Sequence, residues 1–135
     1  MGELQNPALT LLDQAPFSLL LGLKVESAKN GEALARMPFA TKLLNHGGPA
    51  MPIHGGAIGA LADFAACAAV WTMPETQRSA TITMTVNYSG PGVQSDLVAH
   101  ARVRRKSRRI ASLTVEIHDD AGALIADALV TYKIA

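Results

Sequence analysis

Cysteine occurs once in the 135 residues, at Cys67, which excludes an intrachain disulfide framework and any zinc ribbon or finger built on cysteine pairs. The compartment this implies is a reducing one. Aromatic side chains are 4% of the chain and basic residues outnumber acidic ones only 12 to 11, so a base-stacking or globally basic nucleic-acid binder is not expected. No run reaches the roughly 18 apolar residues of a membrane helix without a proline or a charge. The start, Met1-Gly2-Glu3-Leu4-Gln5-Asn6-Pro7, lacks the basic and apolar regions of a secretory leader, and a cytoplasmic location without a membrane is expected. With 49% hydrophobic and 17% charged residues, the chain predicts one domain over residues 1–135.

Residues 9–21 form an apolar segment broken by Pro16, which predicts one or two short helical turns ended by Gly22. From Leu23 to Phe39 apolar and polar residues roughly alternate around Lys29-Asn30-Gly31-Glu32, a hairpin signal. Residues 40–53, with Asn45, His46, Gly47, Gly48, Pro49 and Pro52, read as a long loop of the kind that carries function. The stretch HGGAIGALADFAACAAVWT from His54 to Thr72 reads as a helix without a polar face, hence one wrapped by a curved sheet or a partner chain. Four alternating segments follow. In the first, Ala80, Ile82, Met84, Val86 and Tyr88 alternate with polar residues, and the others begin near Leu97, Ala111 and Leu124. Joined by short turns, they predict an α+β fold with an antiparallel sheet curled around one helix.

Asp63 is the one formal charge in the helix. A carboxylate is costly to remove from water, so Asp63 either faces a solvated gap or a basic strand, or is held in a partly dry cleft as general base or nucleophile. Gly55 and Gly56 open the helix, where free N–H groups and the positive end of the dipole suit a developing oxyanion, although glycine also serves as an ordinary cap there. Gly55 and Asp63 are separated by about 12 Å along one helix. Both reach one carbonyl easily only if two antiparallel copies face each other, which predicts a two-fold dimer.

The run His54-Gly55-Gly56-Ala57-Ile58-Gly59-Ala60-Leu61-Ala62-Asp63, the strand ending Val86-Asn87-Tyr88 and the basic Arg104-Arg105-Lys106-Ser107-Arg108 resemble the PaaI-like (phenylacetate-degradation type) hotdog acyl-CoA thioesterases of the 4-hydroxybenzoyl-CoA thioesterase superfamily. The resemblance implies a hotdog fold, an active site at a dimer interface and often a dimer of dimers, that is, a homodimer or homotetramer acting on acyl-CoA. It makes Asp63 the base or nucleophile, Gly55 the N–H donor to the thioester carbonyl, His54 a neighbour shaping the site and Thr81 the hydroxyl orienting a water. Asn45 takes the place of a family Asn, although it stands nine residues before His54 in a loop longer than is usual there. Ser107 stands where relatives commonly carry Gly.

Residues 102–109 hold six of the 12 basic side chains. They form a solvated turn or, as expected here, meet the phosphates of coenzyme A, with Gly56, Arg104, Arg105, Lys106 and Arg108 as the contacts. Coenzyme A would be part of the substrate, so no separate cofactor is expected, and the spacing of His46, His100 and His118 points to no metal. Cys67 reads as a small core side chain, and His46 as the one of these histidines able to line a cleft. Met51, Ile53, Phe64 and Met84 are the expected tuners of an acyl pocket for aromatic or medium-chain groups. The competing readings are a hydroxyacyl-thioester dehydratase with His54 as base, and a non-catalytic acyl-CoA binding module.

Overall fold

The structure is a computed structural model, and it describes residues 7–135. Residues 1–6, where no leader is expected, lie outside the described residues.

Proline and glycine punctuate the first third of the chain. Helix α1 (Pro7–Gln14) stops where Pro16 cannot continue it, and Pro16 instead opens the short helix α2 (Pro16–Leu21). Gly22, in the left-handed region at φ 77°, caps α2 by donating its N–H to the carbonyls of Ser18 and Leu19. Strands β1 (Lys24–Lys29) and β2 (Glu32–Met37) meet at Asn30-Gly31. Both turn residues have positive φ, 55° and 78°, the twist that an antiparallel pair requires of a two-residue hairpin.

Helix α3 (Gly55–Trp71) lies against the concave face of one six-stranded antiparallel sheet. Leu61, Ala62, Ala65, Ala66, Ala68, Ala69 and Val70 are fully buried, facing strand residues such as Ala35, Ala99 and Ala101 that are equally small. Small side chains on both surfaces let the helix sit close, and the larger Leu113, Val115, Ile117 and Val130 fill the remaining space. The far end of α3 is tied to the first hairpin by the Gly31 N–H, which donates to Thr72 Oγ1 at 2.7 Å. No helix among the described residues is long and apolar enough to cross a membrane.

The remaining strands are β3 (Ser79–Tyr88), β4 (Leu97–Lys106), β5 (Ile110–Asp119) and β6 (Leu124–Ile134). Their sheet order, β1-β2-β4-β5-β6-β3, corrects the expected run of neighbours joined by short turns. β3 does not pair with β4. Residues 89–96 carry the chain across, and β3 lies at the far edge beside β6. A second correction concerns its alternation. Thr81 pairs with Tyr132 and Thr83 with Thr131, so Ile82 is an extra residue in a bulge. Ser79 and Thr81 therefore share the helix-facing side with Met84, Val86 and Tyr88, whereas uninterrupted alternation would have put them on opposite sides.

Candidate active site

The bulge decides what meets Asp63. Thr81 and Tyr132 are register partners on adjacent strands, so their side chains emerge side by side toward α3. Both hydroxyls donate to the same carboxylate oxygen: Thr81 Oγ1 lies 2.8 Å and the Tyr132 hydroxyl 2.7 Å from Asp63 Oδ1. The Tyr132 hydroxyl also lies 3.0 Å from the Asp63 carbonyl. Oδ2 accepts no hydrogen bond from the described residues, and it remains for a water or a substrate carbon. Asp63 is half-buried, in a cleft of about 280 Å³ lined by Phe17, Ala60, Phe64, Cys67, Thr81 and Tyr132 among others. Its carboxylate is neither in bulk solvent nor paired with a basic strand.

Burial raises the Tyr132 phenol well above its ordinary range, so it remains a proton donor to Asp63. Burial also pushes the Cys67 thiol up, which keeps it protonated; it sits 4.0 Å from Ser79 Oγ as a poor nucleophile. Neither Tyr132 nor the Ile82 bulge was foreseen from sequence. In sequence Tyr132 falls on the alternating set that begins near Leu124, with nothing to single it out.

At the helix start, His54 is the N-cap, and its Nδ1 accepts the Gly56 N–H at 2.8 Å. A Cβ on Gly56 would lie 3.0 Å from that nitrogen, so glycine at 56 makes room for the capping ring. The Gly55 N–H has no acceptor among the described residues and is the free amide of the pair. Tyr88 closes this region by donating its hydroxyl to the Gly55 carbonyl at 2.7 Å. A Cβ on Gly55 would come within 3.4 Å of the Tyr88 ring, a contact that sequence reasoning also missed.

Asn45 and His46 lie exposed on the loop and line neither the Asp63 cleft nor the smaller one beside His54. The added loop length is nevertheless closed off at its base. Leu44 bridges Ile53, the Asn45 N–H donates to the Pro52 carbonyl at 3.0 Å, and the His54 N–H donates to the Leu43 carbonyl at 2.7 Å. Asn45 therefore stays close to the helix start in spite of its distance in sequence. Of the expected pocket tuners, Phe64 lines the Asp63 cleft, while Ile53 is buried in the core.

The basic cluster lies elsewhere. The turn between β4 and β5 is fastened to the last strand by the Ile134 N–H, which donates to the Arg109 carbonyl at 2.9 Å. Lys106 lies 3.7 Å from Glu75, just past α3. Arg104, Arg105, Lys106 and Arg108 thus gather at the Trp71 end of α3, about 24 Å along the axis from Gly55 at 1.5 Å per residue.

Residues 53–126, more than half of the chain, match the family model described as the thioesterase superfamily. The chain belongs to the thioesterase superfamily. It is 30% identical over 134 residues to the medium/long-chain acyl-CoA thioesterase YigI of Salmonella typhimurium, a match covering 88% of this chain and 85% of that protein. A mutant of the phenylacetic acid degradation protein PaaI from Thermus thermophilus superposes with a TM-score of 0.78 at 31% identity, covering 88% and 98% of the two chains. A hypothetical thioesterase from Streptococcus pneumoniae, solved with coenzyme A, shares the fold at 19% identity and a TM-score of 0.76, covering 84% and 85%. The sheet wrapped on α3 is the hotdog fold of these PaaI-like enzymes, and the chain is a thioester hydrolase.

Proposed function

We propose that this thioesterase hydrolyses acyl-CoA, with an aromatic or medium-chain acyl group, to the free acid and coenzyme A. The observation that carries the reading is a carboxylate fixed through one oxygen by two hydroxyls, with its other oxygen unengaged, in a cleft that Phe17, Ala60 and Phe64 help to line. Asp63 acts in one of two ways. As a base it takes a proton from water while the resulting hydroxide attacks the thioester carbon; as a nucleophile it attacks that carbon through Oδ2, and water opens the anhydride. In both, the C–S bond breaks and the departing thiolate of coenzyme A takes up a proton. The Gly55 amide stabilises the carbonyl oxygen as it gains charge. His54 keeps the helix start in shape through the Gly56 N–H, and a ring engaged in that way is a poor candidate for the base of a dehydratase.

Gly55 and Asp63 of one chain lie about 12 Å apart along α3, too far to share one carbonyl. We infer a homodimer in which Gly55 of one protomer faces Asp63 of its partner, with pairs of dimers forming a homotetramer. β3 supports this reading. It is a ten-residue edge strand with Ile82 and Tyr88 about half exposed, an edge that asks for a cover. Tyr88 holds Gly55, so a second chain along β3 would lie beside the helix start. Arg104, Arg105, Lys106 and Arg108 are the proposed contacts for coenzyme A, the arginines as paired donors to its phosphates, while Gly56, whose N–H is held by His54 Nδ1, offers close approach of the substrate to the helix start.

Asp63→Asn keeps the shape and removes the base. It is expected to lower kcat by about 10²–10⁴-fold with KM largely kept, measured as thiol release from a panel of acyl-CoAs. An unchanged kcat overturns the assignment.

A further inference from the structure

We infer that Phe17 sets the acyl chain length this enzyme accepts, by dividing a single groove along α3 into two clefts. The inference rests on the acyl-CoA reading above. The first cleft is the one around Asp63. The second, of about 230 Å³, is bordered by Leu21, Leu43, Leu44 and the helix start at His54, Gly56 and Ala57. Phe17 is the single residue common to both linings. The helix residues involved, Gly56, Ala60, Asp63 and Cys67, recur at three- and four-residue intervals and so form one stripe on α3. That stripe is about 16 Å long at 1.5 Å per residue.

Each cleft is smaller than the roughly 300–1,000 Å³ of ordinary ligand sites, whereas joined they reach roughly 500 Å³. A thioester carbonyl held at the Gly55 amide, or at the Asp63 carboxylate farther along, sends its acyl tail along this stripe and into the Phe17 ring. Short tails fit before the ring and longer ones meet it. Phe17 is 59% exposed and is held on a six-residue helix, so removing its ring opens the groove while leaving the buried core untouched.

The test is kcat/KM for acyl-CoAs from butanoyl to hexadecanoyl, by thiol release, in the wild type, Phe17→Ala and Phe17→Trp, with thermal melts verifying the fold of each. Each further methylene that gains a buried site is worth about fourfold in kcat/KM. The ratio of dodecanoyl to butanoyl kcat/KM should therefore rise at least about tenfold in Phe17→Ala and fall in Phe17→Trp. A wild type active on acyl-CoA whose ratio stays the same in both variants overturns the partition and leaves the hydrolase reading standing. A wild type that releases thiol from benzoyl-CoA and from none of these chains overturns the partition alone, and one that releases none from either kind of substrate brings down both.

Discussion

Tyr132→Phe isolates what the tyrosine does for Asp63, since it removes one oxygen and leaves the ring in the core. The hydroxyl is one of two donors on Asp63 Oδ1, at 2.7 Å, with Thr81 retained at 2.8 Å. A hydrogen bond to a charged group is worth about 1.5–3 kcal/mol, and the half-buried position of Asp63 puts this one at the lower end. At about 1.4 kcal/mol per tenfold in rate, losing that much hold on the carboxylate lowers kcat/KM about tenfold on the proposed mechanism, in which Asp63 meets water or the thioester carbon through Oδ2. Adding Thr81→Val lowers it further, by less than a second tenfold, since both donors share one oxygen. The assay is thiol release from acyl-CoA, with circular dichroism verifying the fold of each variant. A kcat/KM unchanged in both variants refutes the reasoning, for the two hydroxyls would then do nothing for Asp63.

Three further outcomes follow from the same contacts. Burial raises the phenol of Tyr132 in the folded state only; its stabilising contribution is therefore complete below the unfolded value near pH 10 and is lost as pH rises beyond it, at about 1.4 kcal/mol per pH unit. Urea midpoints taken across this range should fall less steeply in Tyr132→Phe, and parallel slopes would contradict the assignment. Leu61 is fully buried at the centre of α3, and Leu61→Ala should cost about 2–5 kcal/mol in denaturant unfolding; a loss under about 1 kcal/mol would mean that the helix is not held by this core. Ile82→Lys places a charge on the open edge of β3 and should turn the proposed dimer into a monomer by light scattering, with activity lost alongside; an active monomer rules out the shared site.

The parts legible from sequence are those fixed by local chemistry. Asn30-Gly31 specifies its hairpin because few other residues adopt two successive positive φ angles, and the Ala-rich run from His54 to Thr72 contains nothing that could end it. Asp63 stood out because its cost is visible without coordinates. The pairing of β3 with β6 was not legible, since a period-two pattern says which residues share a side and nothing about which strand lies alongside. The bulge at Ile82 was hidden for a similar reason. Ser79, Thr81, Thr83 and Thr85 look equivalent in sequence, and only the register against Tyr132 and Thr131 separates Thr81 from Thr83. The basic cluster was legible as chemistry, while its place at the far end of α3 follows from long-range pairing.

The bulge links the energetics of the fold to those of the site. A carboxylate within an otherwise apolar helix costs several kcal/mol if it is left without partners. Two hydroxyls at 2.7 and 2.8 Å offset much of that, but only if strands β3 and β6 present Thr81 and Tyr132 at the same level. Without the extra residue, uninterrupted alternation would place either Thr81 or the Met84, Val86 and Tyr88 set on the helix side, and not both. In the first case Tyr88 would lose the Gly55 carbonyl; in the second Asp63 would lose Thr81. One inserted residue therefore lets a single edge strand serve the carboxylate and the helix start together, and the two ends of the proposed site are coupled through β3.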